Sequence, residues 1–369
     1  MIATKKSFYQ PLLKKFFPPP RYLKMEAVGI DISDRAIRYL SFKNKGSVRE
    51  IDVFGEVALP EGALSGGHIN KPNIVSSVLR GIADKLKNKL VRVSLPEEKA
   101  YIYQTQVPKV PGVELYESIS YTLEENVPIK PSEAVFDYFL IPSKDLQSEH
   151  VDVVVVAIPQ KVSEIYDLVL NEAGLFPLSF EIGSQAIVRA VADQVDHQVR
   201  LVVNLNETKT SFSIVSRGLV RFTSTVQAGG GDIDRYLIEL TGKTLEQVKM
   251  MKKTSAMEGE QDMDLFFKLM ESTKPIQDEI RKLQSYWKTH GAGKSGLSKE
   301  IAEIILVGKD TAVPAVSEYL ESVIGIKTSV SNVWRNSFSL EDYVPDLGFY
   351  NALDYAGAIG LALGNDLNN

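Results

Sequence analysis

Two short stretches carry side chains suited to phosphate chemistry, and they share one layout. Val28-Gly29-Ile30-Asp31-Ile32 reads as a buried strand, Ser33-Asp34-Arg35-Ala36 as a tight polar turn, and Ile37 to Phe42 as a strand running back. The order returns in Leu201 to Leu205, Asn206-Glu207-Thr208-Lys209 and Thr210 to Val215, with Asn204 standing 173 residues after Asp31. That interval is too long for a solenoid repeat and suits two similar domains. Such turns present backbone N–H groups and small hydroxyls, which can hold phosphate oxygens from two facing sides. Gly229-Gly230-Gly231 then leads into Asp232, placed as the cap or first-turn acid of a helix.

The elements that would position these residues can be read from periodicity. Ala27 to Ile32, Ala36 to Lys43 and Val48 to Leu59 form a predicted three-stranded hairpin sheet, followed by helical spacing over Ile74 to Lys89 and a strand at Val91 to Leu95. This is the layout of a ribonuclease H-like half. Prolines punctuate residues 97–151, where a helix is expected over Glu114 to Asn126 and a strand over Ala134 to Ile141. The unbroken valines of Val151 to Ile158 suit a strand buried on both faces, expected here to resume the first lobe. Helices at Val162 to Glu172 and Ser184 to Gln194 flank a strand near Leu178 to Ile182.

After the second hairpin come a third strand at Gly218 to Val226, a charged helical stretch, a strand at Ile301 to Val307 and a helix at Pro314 to Val323. Gly291 to Gly296 reads as a surface loop and does not fit a P-loop. Tyr355 to Leu363 is a small-residue apolar helix whose Gly357 and Gly360 permit close packing, and it is expected to cross back to the first lobe.

Composition removes several classes. The net charge of −5 gives no basic field for nucleic acid. With no cysteine and four scattered histidines, no thiolate chemistry or protein His/Cys metal site is expected. No apolar run approaches a membrane span, and no secretory leader is recognised, so a cytoplasmic chain is expected. Residues 1–24 stand apart: Lys5, Lys6, Lys14, Lys15, Arg21 and Lys24 interleave with aromatic and aliphatic residues ahead of Pro18-Pro19-Pro20 or just beyond it. Such a tail can rest on an anionic bilayer at the inner face of the membrane, or it can be a leader with no role.

In the order of its segments the chain resembles the PilM-type actin-like proteins of type IV pilus assembly, relatives of FtsA. The resemblance covers about residues 26–364 and rests on Gly29-Ile30-Asp31-Ile32, Glu124-Glu125-Asn126-Val127-Pro128 with Val135-Phe136-Asp137-Tyr138, Asn171 to Leu175, the glycine run with Asp232-Ile233, Glu279-Ile280-Arg281-Lys282, and Ala358 to Leu363. It implies an α/β actin-like ATPase fold, with two ribonuclease H-like lobes around a cleft and a small subdomain inserted in the first lobe. The expected division is a tail (1–25), lobe 1 (26–97, 152–195 and 350–369), the insert (98–151), lobe 2 (196–235 and 300–349) and a helical subdomain (236–299).

The same resemblance implies ATP or ADP with Mg²⁺ in the cleft. Asp31 would be the catalytic acid, and Asp31, Ser33, Asn204, Asn206, Thr208, Gly229, Gly230, Gly231, Glu279, Lys282 and Gly308 would hold the nucleotide. It further implies a groove beside the insert for the N-terminal peptide of a bitopic PilN-like membrane protein, alongside other pilus assembly proteins. Tyr101, Tyr103, Tyr121, Val127, Ile129, Phe136 and Tyr138 are the residues expected to line it.

The departures concentrate on the cleft. Ser33 and Asn206 stand where the family has glycine, Asn204 and Gly183 where it has an acid, and Gly308-Lys309-Asp310 where it has a glycine-rich adenosine turn. A neutral amide at Asn204 supplies no charge to hold a hard cation. The expectation is therefore a pseudo-ATPase adaptor with weak or no hydrolysis. An active ATPase, a small-molecule kinase of the same fold and a filament-forming FtsA-like protein are the competing readings.

Overall fold

The computed structural model describes residues 26–364 apart from 47, 110–113, 142–148, 259–270, 272, 292–296 and 313–315. The basic tail and most of the Gly291 to Gly296 loop lie outside the described residues.

Two five-stranded sheets share one plan. In the first, β1 (Val28–Ile32), β2 (Ala36–Lys45) and β3 (Val48–Ala58) run antiparallel. After a small ribbon of β4 (Leu64–Ser65) and β5 (His68–Ile69) and the helix Pro72–Ala83, β6 (Leu90–Leu95) joins β1 in parallel. The insert supplies β7 (Tyr101–Pro108), β8 (Ala134–Leu140) and β9 (His150–Pro159), and β10 (Phe176–Ile182) closes the first sheet in the order β10-β6-β1-β2-β3. In the second sheet, β11 (Arg200–Leu205), β12 (Thr210–Ser216) and β13 (Leu219–Val226) are antiparallel, and β14 (Glu303–Val307) and β15 (Thr328–Val330) add in parallel, giving β13-β12-β11-β14-β15.

The register makes the duplication explicit. Asp31 pairs with Arg38 one step before the end of its hairpin, and Asn204 pairs with Ser211 one step before the end of the other. Alternation along each strand sets which side chains face outward. Val28, Ile30 and Ile32 enter the core under the helices Pro72–Ala83 and Gln160–Glu172, while Leu201, Val203 and Leu205 enter the core under Gly230–Thr241 and Lys274–Tyr286. Gly29 and Asp31, Val202 and Asn204 therefore turn to the inner faces.

A third core lies between those inner faces. The helices Gly183–Val191 and Ala356–Leu363 fill it with Leu40 and Ile51 of lobe 1 and Val202, Val215, Ile305 and Val307 of lobe 2. Close approach requires the glycines of the last helix. A Cβ on Gly357 would stand 2.5 Å from an Asp31 carboxylate oxygen, and one on Gly360 would run into the carbonyl of Ala186. Arg189 also donates to the Gly360 carbonyl at 2.9 Å.

Two local expectations are corrected. Val151 to Ile158 does not resume the first lobe, because β9 is the central strand of a separate sheet ordered β7-β9-β8. Its valines are buried on both faces by the insert's own helices and by the rest of the protein. The single helix expected over Glu114 to Asn126 is two short ones, Leu115–Ser120 and Leu123–Asn126, with Thr122 donating its hydroxyl back to the Ile119 carbonyl at the break.

Gly360→Ala is expected to cost about 3 kcal/mol or more, since the obstacle is backbone that cannot rotate away. A denaturant melt of the full chain checks this, and a loss under 1 kcal/mol would contradict the packing described (about 0.5 kcal/mol being ordinary for a surface change).

Candidate functional site: the cleft between the two hairpin turns

Each hairpin turn is built from its own backbone first. Ser33 donates both its N–H and its hydroxyl to the Ala36 carbonyl, at 2.9 and 2.8 Å. Asn206 N–H closes the second turn on the Lys209 carbonyl at 3.0 Å. The glycine run packs directly on that second turn: Gly230 N–H donates to the Asn206 carbonyl and Gly231 N–H to the Glu207 carbonyl, both at 2.8 Å. A Cβ on Gly229 would stand 2.5 Å from the Asn206 carbonyl oxygen, so only glycine allows this contact. Asp232 accepts from the Gly229 N–H at 2.9 Å, capping its helix as the sequence leads one to expect.

Asp31 sits at the mouth of β1, accepting from the Ser94 hydroxyl at 2.7 Å with its other oxygen against Gly357. Ser94 in turn accepts from the Ile32 N–H at 2.9 Å. The two turns meet across the lobes, where Thr208 donates its hydroxyl to Asp34 at 3.4 Å. Beside that contact, the Lys209 ammonium of lobe 2 pairs with Glu98 at the root of the insert. Burial works against the Lys209 charge, yet Glu98 outweighs it and holds the amine above its usual pKa. Burial pushes the Glu97 carboxyl up, against the opposing pull of Ser211 and Lys209.

A second cross-lobe network lies on the other side of the second turn. Asp354, just ahead of the last helix, accepts from the Lys309 N–H and pairs with its ammonium, each at 2.9 Å, and also pairs with Arg38 at 3.3 Å. Arg38 in turn holds Glu56 at 2.8 Å. Lys252, 2% exposed, sits between Asp234 and Asp310 at 2.5 and 2.7 Å. Asp310 lies over Gly230, where a Cβ would collide with its carboxylate. Gly308 adopts φ +102°, letting its backbone press on the Leu205 carbonyl. Together these frame a pocket of about 390 Å³ whose lining includes Arg38, Leu205, Lys249, Lys253, Lys309 and Asp354. Tyr350 also lines it, with its hydroxyl pKa driven up by burial and then by Asp310.

The structure thus gathers Asp31, Ser33, Asn204, Asn206, Thr208, the three glycines and Gly308 on the two hairpins and their immediate supports. Glu279 and Lys282 stand on the helix Lys274–Tyr286, which packs beside β13. Their helix packs Ile276, Ile280 and Leu283 into the outer core, Glu279 accepts from Ser224 of β13 at 2.6 Å, and Lys282 pairs with Glu279; neither lines the pocket. The helix Leu245–Glu258 reaches the pocket instead, through Lys249, Lys252 and Lys253.

Two of the glycine-run N–H groups are spent on the second turn, and the sealed oxygens near the turns without a hydrogen-bond partner include Asp34 Oδ1, Glu97 Oε2 and Glu98 Oε2. Among the described residues no three acidic or imidazole groups are arranged to hold a metal ion.

The insert presents a different surface. Tyr101, Tyr103, Ile129, Phe136 and Tyr138 pack half-buried around Val107, Ile119, Leu123 and Val127 on one face of its sheet. Tyr103 hydrogen-bonds Thr122 at 2.9 Å, and Tyr116 stacks on Phe136 with ring centres 4.3 Å apart. Tyr121 points outward, 71% exposed.

Comparison with known proteins agrees with this geometry. A structure titled as a PilM-PilN type IV pilus biogenesis complex matches at TM-score 0.73 and 18% identity, covering 92% of this chain and 98% of that one. MreB5 of Spiroplasma citri, solved with ADP and with AMPPNP, matches at TM-scores of 0.53 and 0.52, both at 11% identity, over 93% and 94% of this chain and 98% of each of those. The fold is that of the actin-like ATPases. The model of the family described as type IV pilus assembly protein PilM matches residues 29–366, and the chain belongs to that family.

Two outcomes check the cleft electrostatics. Lys209→Met leaves Glu98 buried without its cation and is expected to cost about 3–5 kcal/mol in a denaturant melt. Because the folded Glu97 pKa lies above its unfolded value, its contribution is full below the ordinary glutamate pKa and is lost as pH rises through the raised one. Glu97→Gln should therefore gain stability relative to the parent as pH rises above the ordinary glutamate value in thermal melts, and a parallel pair of pH profiles would contradict the assignment.

Proposed function

We propose that this protein is a type IV pilus assembly adaptor, which works by contact and hydrolyses ATP weakly or not at all. The single observation that carries the second half is the cleft floor. Where a polyphosphate needs donors, Ser33 and Asn206 spend their N–H groups within their own turns, Gly230 and Gly231 spend theirs on the second turn, and Lys209 is already neutralised by Glu98. Asn204 supports the same reading, since it offers no charge for a cation. The lysine-lined pocket beside the turns can still admit ATP or ADP, with Mg²⁺ brought by the nucleotide.

The contact surface is the aromatic face of the insert. Tyr101, Tyr103, Val127, Phe136 and Tyr138 give it a firm base and Tyr121 an exposed ring, with the carboxylates of Glu117, Glu124 and Glu125 at the rim. Aromatic side chains supply contact area at low entropic cost, and the acidic rim favours a peptide carrying basic residues. A PilN-like membrane protein's cytoplasmic N-terminal segment is the ligand this reading assigns. The protein would then sit at the inner face of the cytoplasmic membrane through its partner, aided by the basic tail. No helix among the described residues is long and apolar enough to cross a membrane.

Two measurements test the proposal. Mg-ATP turnover by the purified full chain is expected at background and unchanged in Asp31→Ala; turnover that Asp31→Ala abolishes would end the pseudo-ATPase reading. Titration with the synthetic N-terminal peptide of the PilN-like protein from the same genome should show binding that Tyr121→Ala weakens about tenfold, roughly 1.4 kcal/mol. Binding that is absent, or indifferent to Tyr121→Ala, would count against the insert as the docking face.

A further inference from the structure

Lobe 2 and the rest of the protein are bridged by polar contacts that are already made, among them Thr208 to Asp34, Lys209 to Glu98, Lys309 to Asp354 and Gln185 to Gly218. One further position has the residues for a bridge and lacks the bond. β13 is an edge strand of the lobe 2 sheet and β7 an edge strand of the insert sheet, and the two pack against each other. Arg221 lies on β13, 4% exposed, with Nε and Nη1 unpartnered; its Nη2 makes one long bond of 3.5 Å to the Ser216 carbonyl.

Asp152 lies on β9 opposite Gln106 of β7. Alternation puts it on the sheet face shared by Ile102, which packs into the core between the lobes, and away from the helices that cover Val153 and Val155. Its Oδ1 is sealed from solvent and also unpartnered. The two charges feel each other, yet no nitrogen of Arg221 comes within 4.0 Å of the carboxylate. The other charged group facing Arg221 is Arg217, a like charge whose Nε is engaged with His197 at 2.9 Å. Burial and Arg217 lower the Arg221 pKa to about 10, the signature of a guanidinium short of a counter-charge.

A buried charge without a partner is costly, and two such groups of opposite sign on facing elements define a second arrangement in which both are satisfied. We propose that Asp152 and Arg221 are the two halves of a clasp, and that the insert rocks against lobe 2 between an open arrangement, described here, and a closed one in which the pair is joined. Thr208–Asp34 and Lys309–Asp354 join the lobes themselves and hold them together during this movement, while Lys209–Glu98 at the root of the insert serves as its pivot, so the insert is the moving part. Because Val153, Val155 and Ala157 alternate with Asp152 on the same strand, the movement carries the aromatic face with it.

The absence of native cysteine makes the test direct. Spin labels at Ser132→Cys on the insert and Glu239→Cys on the helix Gly230–Thr241, both exposed, report the distance between the two bodies in the full chain by pulsed dipolar spectroscopy. Two distance populations are expected. The shorter should fall at least tenfold relative to the longer in Asp152→Asn and in Arg221→Gln, and persist in Arg221→Lys, which keeps the charge. The reversed pair Asp152→Arg with Arg221→Asp should restore it. A distribution that is the same in the parent, Asp152→Asn and Arg221→Gln would overturn the clasp, and the near-isosteric Asp152→Asn decides the matter even if the reversed pair does not fold.

Discussion

Everything in this molecule depends on how closely the helix Ala356–Leu363 can lie on β1 and on the helix Gly183–Val191. Small residues bring the three backbones together, and the apolar interior between the lobes follows from that contact. Asp31 is held at the end of β1 by a glycine of the last helix on one side and Ser94 on the other. Asp354 reaches lobe 2 because the same helix begins immediately after it. A packing constraint thus fixes the polar geometry of the cleft.

The floor of the cleft is an electrostatic joint between the lobes. Two cations of the joint, Lys209 and Lys252, are each held by carboxylates of the protein, and both are buried. Such internal pairs add little net stability against an apolar replacement, but they impose a particular arrangement, because breaking one leaves a charge without water. The lobes are consequently set in one relation by side chains.

Much of this was legible in the sequence, and the limits have physical causes. The duplicated hairpin shows because a two-residue period, a polar turn and a return strand are local features, and the register confirms Asp31 and Asn204 as equivalents. Asp232 as a cap and Gly357 and Gly360 as close-packing residues are likewise local. Glu279 and Lys282 came from the family resemblance, and what their own sequence shows is only the helical period that buries Ile276, Ile280 and Leu283 beside them. β9 was given to the wrong sheet because a run of valine records burial on two faces and carries no partner. Glu98 with Lys209, and Asp354 with Lys309 and Arg38, depend on pairings across more than forty positions, roughly beyond the range of any periodic signal, whereas Arg38 opposite Asp31 follows from the hairpin register alone.

The helix Leu245–Glu258 has an unusual attachment whose thermodynamic character differs from the rest of lobe 2. Over residues 245–254 it buries Val248 and Lys252, so its anchor is an ammonium between two carboxylates more than a stripe of apolar surface. Detaching it hydrates charged groups and little hydrocarbon, so its heat-capacity increment is small. Amide exchange in this segment would then report a shallow opening with little curvature in temperature, separate from the cooperative melting of the sheet beneath it.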